Sequence, residues 1–356
     1  MVDLKGVFRI IKQFHLPTRN LLHIDPLSGH ESIKSLSIRF WFENLRRRTA
    51  LPTAYSLEQF FEPSSFIRDQ NDSISSYRNK WIRYEDGVHR PQPALLRMVD
   101  EKCHGSARDL NHPLWRALDV SDQKILKGES FLRALAPGVQ TVIFTPEDDA
   151  PLIQSARLPV TFVLLKRLVR KANLDAVACL VWLLRESRHA GGTNTGRIGM
   201  ALHHVLLMMA MDLHAMKVAR PLLQILVDRI LPLAMQPHER VALSVNEYIE
   251  ASARLNILVY RTKIGKGQSL PWSKRTRVMA KLLDITYGFD IFFAMGKPFR
   301  IDESAPGLSQ EHLRLAASEK KDADWGWECL RSNRQGNVKE MLERYDYEEI
   351  PVTADT

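Results

Sequence analysis

The chain has 356 residues, 45% of them hydrophobic and 26% charged, with a net charge of +9. Such a chain can bury a substantial core and suits two or three domains. Its three cysteines, Cys103, Cys179 and Cys329, are far apart and odd in number, which argues against a disulfide framework or a CxxC zinc site.

No apolar run approaches the length needed to span a bilayer. The first residues, MVDLKGVFRIIKQFHLPTRN, lack the apolar core and small-residue cleavage site of a signal peptide. The cytoplasm is therefore the expected location, with no membrane partner. Residues 1–20 read as a short basic amphipathic helix docked on its own domain. A loop carrying Pro26 and Gly29 follows. Ser35 or Ser37 can cap the next helix, which buries Ile38, Trp41, Phe42 and Leu45 and ends on Arg46, Arg47 and Arg48, as suits a helix carboxyl terminus. The next helix is expected over Thr53 to Phe61, followed by the polar stretch EPSSFIRDQNDSIS.

Tyr77, Trp81 and Tyr84 then recur at helical spacing, Gly87 suits a turn of positive φ, and Pro91 and Pro93 precede a helix with Leu95, Leu96 and Val99 on one face. Trp81, Arg83 to Glu85, Gly87, Arg90 to Pro91, Pro93 and Leu95 to Leu96 resemble the second half of an Xre/Cro-like helix-turn-helix domain. The resemblance covers residues 75–103. It implies a recognition helix from about Ser75 to Tyr84 that presents Ser76, Arg78, Asn79, Lys80 and Arg83 to duplex DNA, with Arg90 beside it.

After Cys103, Leu110, Leu114, Trp115 and Leu118 look like core closing the first domain. The run GVQTVIFTP from Gly138 reads as a strand, and EDDAP after it as a break. Helical patterning then dominates, with helices expected near 160–171, 174–188, 197–216, 218–235, 238–262 and 274–295. The glycine-rich HAGGTNTGRIG lacks the Lys-Ser/Thr of a phosphate-binding loop and reads as an interhelical connection. His203, His204 and His214 lack metal-ligand spacing and read as packing or partly exposed residues.

Charge is unevenly distributed. Residues 151–300 hold 22 Lys and Arg against 9 Asp and Glu, a net +13, whereas 36–100 carry only +2. A second basic patch is expected at Arg261, Lys263, Lys266, Lys274, Arg275 and Arg277, around Trp272, where a nucleic-acid backbone could lie. Residues 301–356 carry net −6, with Trp325 and Trp327 as anchors of one or two short helices in a solvated tail.

These readings give a mainly α protein: a helix-turn-helix-like domain at 1–120, a linker with a short strand at 121–155, a helical bundle or paired-helix array at 156–300, and an acidic tail at 301–356. No catalytic, cofactor or metal motif emerges. The expected function is that of a DNA-binding regulatory protein whose helical domain oligomerises or senses a partner. The alternative is a helical interaction scaffold that binds no DNA.

Overall fold

A computed structural model describes residues 32–68, 74–77, 79–145, 155–262, 270–284 and 288–343. The described chain is mainly helical, with two short antiparallel hairpins. The expected helix in 1–20 lies outside these residues.

The first helix, α1 (Ile33–Thr49), is capped by Ser32, whose hydroxyl accepts from the Ser35 amide. It serves two cores. Ile38, Trp41, Phe42 and Leu45 face a small cluster with α2 (Ala54–Phe61), α3 (Lys80–Glu85), α4 (Pro93–Lys102) and α5 (Ser106–Leu110). Leu36 and Phe40 point into a much larger cluster that reaches Leu330. The small core is aromatic: the Trp81 ring stacks on Phe61 at 5.3 Å and on Trp41 at 5.8 Å. Gly87, at φ 71°, lies so close to α1 that a Cβ would stand 2.7 Å from the Ser35 carbonyl oxygen.

Two elements before residue 150 differ from expectation. The expected helix from Ser75 begins as a strand, β2 (Ile74–Tyr77), paired antiparallel with β1 (Phe66–Arg68). The helix starts only at Lys80, after Asn79 has adopted a left-handed conformation at φ 54°. The expected strand after Gly138 is instead a helix. It belongs to α8 (Pro137–Ile143), which follows α6 (Pro113–Leu118) and α7 (Ser130–Arg133). Its β-branched residues suit either element, and Pro137 at the first helical position was the signal for a helix. Val139, Val142 and Ile143 are buried in the larger core, so the expected linker is an integral layer of the bundle.

The bundle is built from α9 (Phe162–Lys171), α10 (Leu174–His189), α11 (Thr195–Ala215), α12 (Ala219–Ile225), α13 (Val245–Arg261) and α14 (Trp272–Leu283). At its centre, α11 packs on α9, α10, α12, α13 and α14. With 21 residues and an 18-residue stretch of mean hydropathy 1.3, α11 is long and apolar enough to cross a membrane, contrary to the sequence reading, but 72% of that stretch is buried inside the fold. After α12 the chain continues through a π-turn (Leu226–Ile230) and a tight 3₁₀ turn (Leu231–Ala234). The helix expected at 238–262 is split. β3 (Glu239–Val241) comes first, and α13 begins at a capping box of Ser244 and Glu247.

A short helix α15 (Phe289–Ile291) runs into a second π-turn (Phe292–Gly296), and β4 (Phe299–Ile301) pairs with β3. The expected solvated tail is instead ordered by α16 (Gln310–Ser332), one helix of 23 residues that packs on the second π-turn. Trp325 and Trp327 anchor it, 1% and 6% exposed. A last helix, α17 (Val338–Glu343), ends the described chain.

Candidate ligand-binding site

The residues expected to read DNA do not form one helical face. Ser76 lies in β2 opposite Ile67, Arg78 lies outside the described residues, and Asn79 precedes α3. Lys80 Nζ is 2.5 Å from Glu62 Oε1, and Glu62 Oε2 accepts from Trp81 Nε1 at 2.9 Å. Arg90 is hydrogen-bonded to Asn111 Oδ1. Only Arg83 projects from α3 without an acidic partner among the described residues, 3.4 Å from His89 Nε2.

The second basic patch also divides. Lys263 and Lys266 lie outside the described residues. Arg261 ends α13, whereas Lys274 and Arg277 are exposed on α14. Arg275 points the other way and is 5% exposed. The helical period explains this: on α14 positions 275, 278, 279 and 282 face the core, and 274, 277 and 281 face outward.

Arg277 and Lys281 meet other cations at a cavity of about 410 Å³ between α9, α14 and the start of α11. Trp272 Nε1 donates to the Ala172 carbonyl at 3.0 Å and Thr276 Oγ1 to that of Arg170 at 2.8 Å, fixing α14 against α9. The floor is apolar: Leu165, Val169, Met200, Ala201 and Ala280. Five cations surround it: Lys166, Arg170, Arg197, Arg277 and Lys281. Its one carboxylate, Asp284, is held by Lys166 at 2.8 Å. The other four cations have no side-chain partner among the described residues. Phe162, 59% exposed, stands at the edge with Lys166 Nζ 4.5 Å over its ring.

His204 completes the lining. Its Nε2 is 3.3 Å from the Gly296 carbonyl, which sits at the end of the second π-turn. That contact requires a proton on Nε2 and leaves Nδ1 the acceptor in the neutral ring. Burial pushes the imidazole pKa down, and Lys166 adds to that shift. Its neighbour His203 is wholly buried, between Tyr248 Oη at 2.7 Å and the Met295 carbonyl at 2.8 Å.

The sequence reading missed Lys166, Arg170, Arg197 and His204 as a group. The i, i+4 pairs Lys166/Arg170 and Arg277/Lys281 were the available signal, each placing two cations on one helix face. Nothing local marks the two faces as neighbours.

A second cavity, of about 680 Å³, opens where α1 meets the bundle. Phe40 and Arg47 of α1 line one side. Met209 and Asp212 of α11, Met216 just after its last residue, and Trp272 and Arg275 of α14 line the others. Among the described residues no cluster of His, Cys, Asp and Glu could hold a metal ion.

No known family model matches the chain, and no match is found among curated proteins or solved structures.

Proposed function

We propose that the protein is a receptor for an amphiphilic anion, held in the cavity between α9, α11 and α14. One observation carries the reading: four cations that are unpaired among the described residues converge over an apolar floor whose single carboxylate is already neutralised by Lys166. An anionic head relieves the mutual repulsion of these cations, and an apolar body covers the floor. The described lining contains no Ser, Thr, Asn or Gln. Sugar hydroxyls and nucleobase edges would find few partners there, which favours a hydrocarbon or aryl body over a nucleotide.

The test is calorimetric titration with dodecyl phosphate and dodecanoate below their micellar concentrations, against inorganic phosphate and a neutral dodecyl glycoside. The reading expects the two amphiphilic anions to bind best and the double substitution Arg277→Gln, Lys281→Gln to weaken them at least about tenfold. Equal binding of the neutral glycoside would refute it.

A second reading keeps duplex DNA as partner of the amino-terminal block, favoured by the exposed Ile82 and Arg83 on α3. It expects salt-dependent binding to duplex DNA that Arg83→Ala weakens. Under it, the anion cavity would serve as the sensing site of a regulatory protein.

A further inference from the structure

Arg275 is a buried cation with no carboxylate partner among the described residues. It is 5% exposed, and its Nη2 donates to Asn256 Oδ1. Asn256 Nδ2 donates in turn to the Ser252 carbonyl at 2.8 Å, and Ser252 Oγ accepts the Met211 amide at 3.0 Å. The guanidinium carbon lies 5.0 Å from the Trp272 ring centre. These supports hold the side chain in one orientation, while its Nε–H has no acceptor among the described residues. Burying a guanidinium without a counter-charge is costly, and a donor fixed at the wall of a cavity is preorganised for an anionic acceptor.

Asp212 lines the same cavity with the opposite charge. Among the described residues no cation lies within ion-pair distance of it. Burial raises its pKa, and the fields of Arg275 and Arg47 only partly oppose this. Arg275 and Asp212 thus share one cavity without pairing. Phe40, Met209, Leu213, Met216 and Trp272 supply apolar wall around them.

We propose that this second cavity binds a small zwitterion with an apolar side chain, its carboxylate on Arg275 and Arg47 and its ammonium on Asp212. Mixed sign is the selective feature. A dianion would meet Asp212, a dication would meet two arginines, and an uncharged amphiphile would leave all three without a partner. A free apolar α-amino acid has the required chemistry. The site shares no lining residue with the anion cavity, so neither proposal rests on the other.

The experiment titrates the full chain with leucine, methionine and phenylalanine, then with N-acetylleucine and leucinamide, each of which lacks one charge. Saturable binding of at least one free amino acid is expected, with both blocked derivatives weaker by about tenfold or more. Asp212→Asn should weaken the free amino acid similarly while leaving the unliganded melting temperature unchanged or higher, because it removes a half-buried carboxylate that has no ion-pair partner among the described residues. Arg47→Gln, at an exposed position, should weaken binding without unfolding the protein. Binding of N-acetylleucine equal to that of leucine, unchanged affinity in Asp212→Asn, or no saturable heat from any of the three amino acids would each overturn the proposal.

Discussion

Arg108 and Asp175 are joined at two points, Nη2 to Oδ1 at 2.6 Å and Nη1 to Oδ2 at 3.3 Å. The first residue belongs to α5 in the small aromatic core and the second to α10 in the bundle, so the pair clamps one to the other. Asp175 Oδ1 also accepts the Ala136 amide at 2.9 Å, and His112 Nε2 stands 3.4 Å from Oδ2. Burial alone would raise the Asp175 pKa, but His112 and Arg108 outweigh it and hold the carboxyl well below its ordinary value. A depressed carboxylate stabilises the fold above its unfolded pKa of about 4, and that contribution is lost as pH falls below it. Asp175→Asn should cost about 3 kcal/mol at neutral pH and flatten the acid limb of a melting-temperature profile.

His203 predicts a separate, milder acid response. Burial and the neighbouring His204 pull its pKa down to about 3. A histidine depressed on folding contributes stability that is complete above its unfolded pKa of about 6.5 and declines as pH falls toward the folded value. Chemical denaturation between pH 7 and 4.5 should therefore show falling stability. His203→Gln should start lower at pH 7, by about 1–3 kcal/mol from imperfect pairing of Tyr248 Oη and the Met295 carbonyl, and fall less steeply.

Glu62 holds Lys80 and Trp81 at once, so Glu62→Ala should destabilise the small core by about 1–2 kcal/mol by stranding the indole N–H. Fluorescence of Trp81, stacked between Phe61 and Trp41, would change with it. The ion pair also bears on any DNA-binding test. A defect in Lys80→Ala needs a matched denaturation curve before it can be read as lost DNA contact, whereas Arg83→Ala breaks no described ion pair.

Two glycines predict opposite outcomes. A Cβ on Gly326 would stand 2.5 Å from the Asp290 carbonyl oxygen and 2.7 Å from the Ala294 amide nitrogen, both backbone atoms that cannot rotate away. Gly326→Ala should push α16 off the second π-turn and cost upwards of about 2 kcal/mol. A Cβ on Gly196 meets nothing within 4 Å. Gly196→Ala should stabilise the first turn of α11 by about 0.5–1 kcal/mol, and paired thermal melts of the two variants would show the contrast.

The helical class was legible because the 3.6-residue period is strong wherever a helix buries one broad face, as along α9 and α14. It failed where the segment was short. Ile74 to Tyr77 has too few residues to distinguish a strand from a helical turn, and the left-handed Asn79 that breaks the pattern leaves no mark on the spacing. Val139 to Phe144 misled because β-branched residues pack equally well on a buried helix. Both cavities escaped the sequence reading for a different reason. Their lining residues lie on segments scores of positions apart, and only the packing of α9 on α14, or of α1 on the bundle, brings them together.

Glu250 and Arg254 of α13 pair at 2.8 Å, and each also has a partner at the far end of α16. Arg254 Nη1 donates to the Leu330 carbonyl at 2.8 Å, and Arg331 Nη2 reaches Glu250 at 3.1 Å. A ribosome emits α13 long before it emits residue 331. Throughout that interval the pair of Glu250 and Arg254 lacks its partners from α16, and the nascent bundle has an open face where Trp325 and Trp327 will sit. The protein thus completes its core only when α16 arrives, and any nascent chain stalled before that helix emerges should be a client for chaperones.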